Sequence, residues 1–177
     1  TEKCVSCGMC MVSCPFGAIS DKSQIFQLTR ALQEEGSEII AEIAPAFVGQ
    51  FGENINPRNI KAALIELGFE GVHEVALGAD IGAVAEAHHY VEKVVTGELP
   101  FLLTSCCPSW AMLAKKFFPD LIDQISQELT PMVATARSIK KEHPNAKVVF
   151  IGPCAAKKLE ASRRSVRSDV DFVVTFE

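Results

Sequence analysis

From Glu38 onward, short apolar runs alternate with longer segments whose apolar residues recur every three or four positions. Runs of the first kind are typical of buried strands, and segments of the second kind are typical of amphipathic helices. Strands are therefore predicted at 38–46, 71–77, 100–105, 146–152 and 170–176. Helices are predicted at 57–69, 79–97, 108–118 and 131–143.

The predicted helix at 57–69 has recognisable ends. Pro57 lies in its first turn, Asn56 precedes it as a candidate cap, and Gly68 ends it. Because strands and helices alternate with short connections, we expect right-handed crossovers and a parallel sheet. The predicted fold class is α/β, a parallel sheet with flanking helices.

Three zones follow from the same pattern. Residues 1–22 are rich in cysteine and turn residues and lack a period long enough to make a core of their own. Residues 23–37 predict a connecting helix, because Ile25, Leu28 and Leu32 are three and four positions apart. Residues 38–177 form the α/β lobe.

Composition narrows the class of protein. The 177 residues carry a net charge of −5, and no basic face is interleaved with aromatic residues, so nucleic acid is not an expected partner. The apolar runs are too short to span a bilayer, and the first residues do not have the form of a signal peptide. We therefore expect a soluble, intracellular protein.

The first fourteen residues contain four of the seven cysteines. Their spacing, followed by Pro15, matches the bacterial ferredoxin pattern for a [4Fe-4S] cluster, and a zinc knuckle or two local disulfides are the alternatives. Either the four thiols close one cluster, or a preceding motif shares two clusters with them; we favour the second. The predicted cluster ligands are Cys4, Cys7, Cys10 and Cys14.

Three predicted strands end in unusual residues, at 44–46, 104–108 and 152–158. Ligands of open α/β sheets bind beyond the carboxyl ends of the strands, so these loops should converge. The alternative is that each thiol is an ordinary free core cysteine. The predicted site contains Cys106, Cys107, Cys154 and Lys157 and is shaped by Pro45, Pro108 and Pro153.

The stretches TSCCPSW (104–110) and GPCAAKKLE (152–160) resemble the first two of the three signature motifs of the [FeFe]-hydrogenases. Those enzymes interconvert protons, electrons and dihydrogen. The resemblance implies a catalytic domain of two α/β lobes, preceded by a small ferredoxin-like segment. It implies [4Fe-4S] clusters and a di-iron unit with carbon monoxide and cyanide ligands as cofactors.

The resemblance also implies a role for each residue of the two motifs. Cys107 and Cys154 would ligate the active-site cubane, and Cys106 would carry protons to the di-iron unit. Lys157 would hold one cyanide. The other cyanide would be lined by Ala44 and Pro45.

A proton path to Cys106 is implied as well. By count from the first motif, Glu86 corresponds to the inner glutamate of the family, and Ser126 to its serine relay. A carboxylate in the apolar stretch AVAEAHHY is costly unless it is paired or functional, although a solvated helix face is the alternative. His89 stands where the family has an outer glutamate.

Other departures predict a divergent or sensory-type member. Ala46 replaces a serine, Met132 replaces a glutamine that touches the di-iron unit, and Gly152 replaces a methionine. The third motif would follow residue 177, so we expect this chain alone to be an incomplete, inactive fragment. Two alternatives stay open, a hydrogenase-like iron-sulfur assembly or carrier protein and a hydrogen-sensing module.

The expected partners are ferredoxin or another redox protein and the remainder of the polypeptide, without a membrane span. The resemblance implies a cytoplasmic location in an anaerobic bacterium.

Overall fold

The computed structural model describes residues 2–166 and 169–176, which form a parallel α/β sheet with helices on both faces. This confirms the predicted fold class. The strands are β1 Ile39–Ile43, β2 Gly71–Glu74, β3 Lys147–Gly152 and β4 Phe172–Thr175. The helices are α1 Met9–Val12, α2 Ile25–Leu32, α3 Pro57–Glu66, α4 Val75–Tyr90, α5 Pro108–Phe117, α6 Pro131–Glu142 and α7 Ala156–Ala161.

The sheet has the strand order β2-β1-β3-β4, and all of its pairings are parallel. β1 is central, and each of its five residues is buried. In register, Glu42 of β1 lies between His73 of β2 and Phe150 of β3. Cross-strand neighbours share a face, so these three side chains leave the sheet on the same side.

Alternate residues of the strands build two cores on opposite faces of the sheet. On one face Ile40, Val148 and Phe150 pack with α6. On the other, Ile39 and Val149 pack with residues of α2. The sheet is therefore covered on both sides, as expected for parallel strands.

The predicted start of the helix at 57–69 is present. Asn56 accepts a hydrogen bond from the backbone N–H of Asn59, and the Asn59 side chain accepts one from the backbone of Asn56, each at 3.1 Å. This reciprocal cap and Pro57 start α3. Gly97, which has a positive φ of 82°, follows the π-helical turn Val91–Val95 that continues α4.

The prediction of a strand at 100–105 is wrong. Leu103 makes only an isolated parallel bridge with Ile125, and it exchanges backbone hydrogen bonds with Gln124 and Ser126. In the sheet, the strand next to β3 on its outer side is β4, and residues 100–105 form no strand. A short apolar run cannot by itself distinguish a sheet strand from an apolar loop.

Smaller corrections concern helix boundaries. Residues 75–77, predicted to end a strand, are the first turn of α4. The short helices α1 and α7 and the 3-10 turn Pro119–Gln124 were not predicted, because one or two turns are too few to show a period.

The cysteine-rich start, residues 1–22, contacts the lobe through side chains of α5 and α7. Lys116 Nζ donates to the carbonyl oxygens of Glu2 and Cys4, at 2.8 and 2.7 Å. Lys158 pairs with Asp21. Across the described ranges, we find no helix with the length and apolar character needed to cross a membrane.

Candidate active site

The carboxyl ends of the two central strands, β1 and β3, lie side by side and form the floor of the candidate site. Ala44 follows β1, and its N–H donates to the carbonyl oxygen of Ile151 at 2.8 Å. Gly152 ends β3, and a Cβ there would lie 2.5 Å from the Phe150 ring and 3.0 Å from Ala44 Cβ. The ring thus fills the space that a side chain at position 152 would need.

The TSCC loop leads directly into α5. Pro108 is buried at the first position of α5, Cys107 is the N-cap, and its carbonyl oxygen accepts from Ala111 N–H at 3.0 Å. Trp110 donates its indole N–H to the carbonyl oxygen of Thr104 at 3.1 Å, which braces the loop. The two thiols, Cys106 and Cys107, are exposed.

Cys107 lies close enough to Cys154 to interact with it electrostatically. The pKa of the Cys154 thiol is raised, first by loss of solvation and then by the negative charge of Cys107, while Lys157 opposes the rise. Two thiols in such proximity could supply two thiolates to one iron-sulfur cluster.

Lys157 joins the two signature loops. Its Nζ donates to Glu160 Oε2 at 2.7 Å and to the carbonyl oxygen of Cys106 at 3.2 Å. Both side chains are buried. An ammonium group has three N–H donors, so one remains for a ligand of the site. Glu160 was missed in the sequence, although its spacing of three from Lys157 on a helix was a usable signal.

Cys106 and Glu86 line the same cavity, which has a volume of about 220 Å³. Glu128 lines it as well and was not predicted from the sequence. Ser126 is buried beside this cavity and does not line it; its hydroxyl accepts from Glu128 N–H at 3.2 Å. His89 lies one helical turn beyond Glu86 and is also outside the lining.

The remaining predicted residues differ in burial. Met132 is fully buried in the same core cluster as Ala44. Pro45 and Pro153 are exposed at the ends of β1 and β3. Met132 is therefore packed within the lobe, whereas the two prolines border open space.

The amino-terminal thiols lie on turns with unusual backbone geometry. Ser6 and Gly8 have positive φ angles of 58° and 82°. The pKa of Cys4 is lowered chiefly by the backbone N–H of Ser6, and that of Cys14 chiefly by the backbone N–H of Phe16 and then of Ala18. Such N–H donors stabilise the thiolate form of a cysteine over the thiol form. All seven cysteines are free thiols.

Thiols of this type fit iron-sulfur chemistry. Four cysteines at the ferredoxin spacing, two of them with N–H donors, suit a cluster, and the Cys107 and Cys154 pair suits part of another. Within residues 2–166 and 169–176, no three His, Cys, Asp or Glu side chains are gathered tightly enough for a single metal ion.

Comparison with known families gives two matches. Residues 37–177 match the family described as "Iron only hydrogenase large subunit, C-terminal domain". Residues 1–20 match the "4Fe-4S binding domain".

Relatives of several kinds are similar to this chain. The NADP-reducing hydrogenase subunit HndD of Solidesulfovibrio fructosivorans is 30% identical over 97% of this chain and 34% of its own length. Iron hydrogenase 1 of Clostridium pasteurianum is 30% identical over 91% of this chain and 31% of its own length. The cytosolic Fe-S cluster assembly factor NAR1 of Meyerozyma guilliermondii is 25% identical over 97% of this chain and 36% of its own length. The chain thus spans about a third of the length of these relatives.

Proposed function

This chain belongs to the iron-only hydrogenase large-subunit family, and on that premise we propose that the full-length protein is an [FeFe]-hydrogenase. The reaction combines two protons and two electrons to give dihydrogen, or runs in reverse. The observation that carries this proposal is that Cys106 and Glu86 line one cavity while the neighbouring Cys107 lies within electrostatic range of Cys154.

The two adjacent thiols have different roles in this proposal. Cys107 and Cys154 supply thiolates to the active-site cubane. Cys106 faces the cavity and passes protons between Glu86 and the reacting centre, with Ser126 and His89 as further candidates for the relay. A thiol and a carboxyl group on one cavity are suited to general acid-base transfer.

The remaining predicted site residues would bind or orient the cofactors. Lys157 would hold an anionic ligand of the di-iron unit with its third N–H, and Ala44 and Pro45 would line the pocket for that unit. Met132 would act on this pocket through the core cluster that it shares with Ala44. When bound, the cubane and di-iron unit supply the redox chemistry. Cys4, Cys7, Cys10 and Cys14 would supply thiolates to the [4Fe-4S] clusters that receive electrons from ferredoxin or another redox partner.

Adjacent-cysteine variants test the division of roles. In the full-length, matured protein, Cys106→Ala should lower hydrogen evolution from a reduced dye by about 100-fold or more while the iron content is unchanged. Cys107→Ala, the matched control, should lose iron together with activity. Loss of iron in Cys106→Ala, with iron retained in Cys107→Ala, would mean that the roles are reversed.

A second candidate function is that of an iron-sulfur assembly or carrier protein, because NAR1 proteins are similar over nearly the whole chain. Cys106 distinguishes the two: a proton-carrying thiol is needed for hydrogen chemistry and has no use in a carrier. A matured protein that holds its iron, evolves no hydrogen and is unaffected by Cys106→Ala would favour this second function.

A third possibility is a hydrogen-sensing protein, in which the same interconversion of protons and dihydrogen would run at low turnover. His89 and Gly152, which depart from the family pattern, favour a divergent member of this kind. Slow hydrogen turnover that still depends on Cys106 would identify it.

A further inference from the structure

Glu42 is a carboxyl group buried at the centre of the sheet. Its residue exposure is 0%, and neither carboxyl oxygen has a hydrogen-bond partner among the described residues. It lies on the central strand β1 between His73 and Phe150. An unpartnered buried carboxyl group is costly, so it calls for a physical explanation.

The charged groups that act on Glu42 come from α7. Lys157 attracts a negative charge at Glu42 and Glu160 repels it, while burial is the largest effect and raises the pKa of Glu42 well above 4.5. Lys157 and Glu160 are themselves an ion pair with a distance of 2.7 Å. One buried lysine therefore has two buried carboxyl groups within electrostatic range.

The other elements around Glu42 do not favour its ionised form. On β2, burial lowers the pKa of His73, so this imidazole is not a stable cation beside Glu42. On β3 the neighbour is Phe150. α6 contributes apolar residues to the core on this face of the sheet, among them Met132 and Val133. Its buried polar residue, Thr135, carries no charge, and its hydroxyl lies against Gly78 of α4.

We propose that Glu42 is a positioning residue that acts through Lys157: held as the neutral acid, it leaves Glu160 as the only carboxylate, among the residues that the structure describes, that pairs with the lysine. The three N–H donors of Lys157 then divide between Glu160, the carbonyl oxygen of Cys106 and a ligand of the site. If Glu42 were ionised, it would attract the third donor away from that ligand. The ligand-holding role of Lys157 rests on the proposed function; the protonation of Glu42 does not.

Infrared spectroscopy of the full-length protein tests the proposal directly, and the measurement requires neither bound iron nor hydrogen. A neutral carboxyl group has a C=O stretch distinct from that of a carboxylate, and we expect such a band at pH 7 in the wild type. Glu42→Gln should remove it, whereas Glu38→Gln, a control at the other end of β1, should not. If no band at pH 7 is lost in Glu42→Gln, the carboxyl group is ionised and the proposal is overturned.

Two variants test the coupling to Lys157 in opposite directions. Glu160→Gln removes a like charge and leaves the lysine to Glu42, so the Glu42 band should disappear at lower pH than in the wild type. Lys157→Gln removes the attraction, so the band should persist to higher pH.

A band that titrates identically in the wild type and in either folded variant would show that Glu42 does not act through Lys157. Because these measurements need neither cluster nor turnover, a protein that makes no hydrogen would overturn the proposed function and leave this result intact.

Discussion

At the scale of single residues, the environment decides what each side chain can do. Cys106 and Cys107 are chemically identical neighbours, yet one lines a cavity with a carboxyl group and the other lies within electrostatic range of Cys154. The spacing of the cysteines was readable in the sequence. Their surroundings come from α4 and β3, which are distant along the chain, and so could not be derived from local pattern.

Glu42 should make the protein less stable as the pH rises. Its folded-state pKa is raised, so the folded protein binds more protons than the unfolded chain between 4.5 and that raised value. Stability is therefore lost as the pH increases through this window. Glu42→Met should raise the free energy of unfolding at pH 7 by about 1–3 kcal/mol and remove this part of the pH dependence, as measured by urea unfolding.

The exposed Glu35 provides the control for this experiment. Glu35→Met should change the free energy of unfolding by no more than about 0.5 kcal/mol. A stability that rises with pH between 5 and 7 in the wild type and not in Glu42→Met would contradict the assigned sign.

Gly152 is constrained by Phe150. Gly152→Met should destabilise the lobe by about 1–3 kcal/mol, because its side chain would enter the space of the phenyl ring. In a protein that already carries Phe150→Ala, Gly152→Met should lower the free energy of unfolding by less, since the ring is absent. Urea unfolding of the two single variants and the double variant measures this coupling, and additive effects would refute the steric argument.

At the scale of elements, close packing of α4 against α6 aligns the cavity wall that carries Glu86 with the loop before Pro131. A Cβ at Gly78 would overlap Thr135 Oγ1 and the carbonyl oxygen of Pro131. Glycine is therefore required here by the approach of the two helices, a reason that helical periodicity does not reveal.

Alanine substitutions at the two glycines of α4 should have opposite effects. Gly78→Ala should lower the free energy of unfolding by about 1–3 kcal/mol, because α6 must move. Gly82→Ala, the matched control, meets only the carbonyl oxygen of Leu129 at 3.9 Å and should stabilise the helix by about 0.5–1 kcal/mol. Thermal or urea unfolding distinguishes them, and equal effects would mean that the α4–α6 contact is not tight.

At the scale of the whole molecule, the cysteine-rich start is held by a few polar contacts. Lys116 donates to two carbonyl oxygens of the start. Lys158 pairs with Asp21 and donates to the carbonyl oxygen of Lys22 at 3.1 Å. The buried core clusters contain residues of α2 and of the lobe, and none of residues 2–22 belongs to them. The attachment is therefore electrostatic in character and sensitive to salt.

Removing one of these contacts should loosen the start selectively. Lys158→Ala should speed amide hydrogen exchange of residues 2–22 up to about fivefold, which corresponds to an ion pair of about 1 kcal/mol or less. Exchange in β1 and β3 should be unchanged. Lys115→Ala, on the neighbouring helix α5, is the control, and an equal effect of both variants would show that general charge is responsible.

Features that depend on near neighbours in the chain were predictable from residue order. The start of α3 follows from Asn56, Pro57 and Asn59. The ferredoxin spacing and the two hydrogenase-like motifs depend only on residue order, and the family matches confirm that reading. Strand runs at β1, β3 and β4 were recognisable because parallel strands buried on both faces are continuously apolar.

Features that depend on burial and on distant partners became visible only in the folded chain. It placed residues 100–105 outside the sheet, put Glu42 where no water reaches it, and brought Glu86 to the cavity of Cys106. A side chain's solvation and electrostatic field are set by whatever the fold packs around it. Those neighbours come from elements far apart in the chain, so no local pattern of residues encodes them.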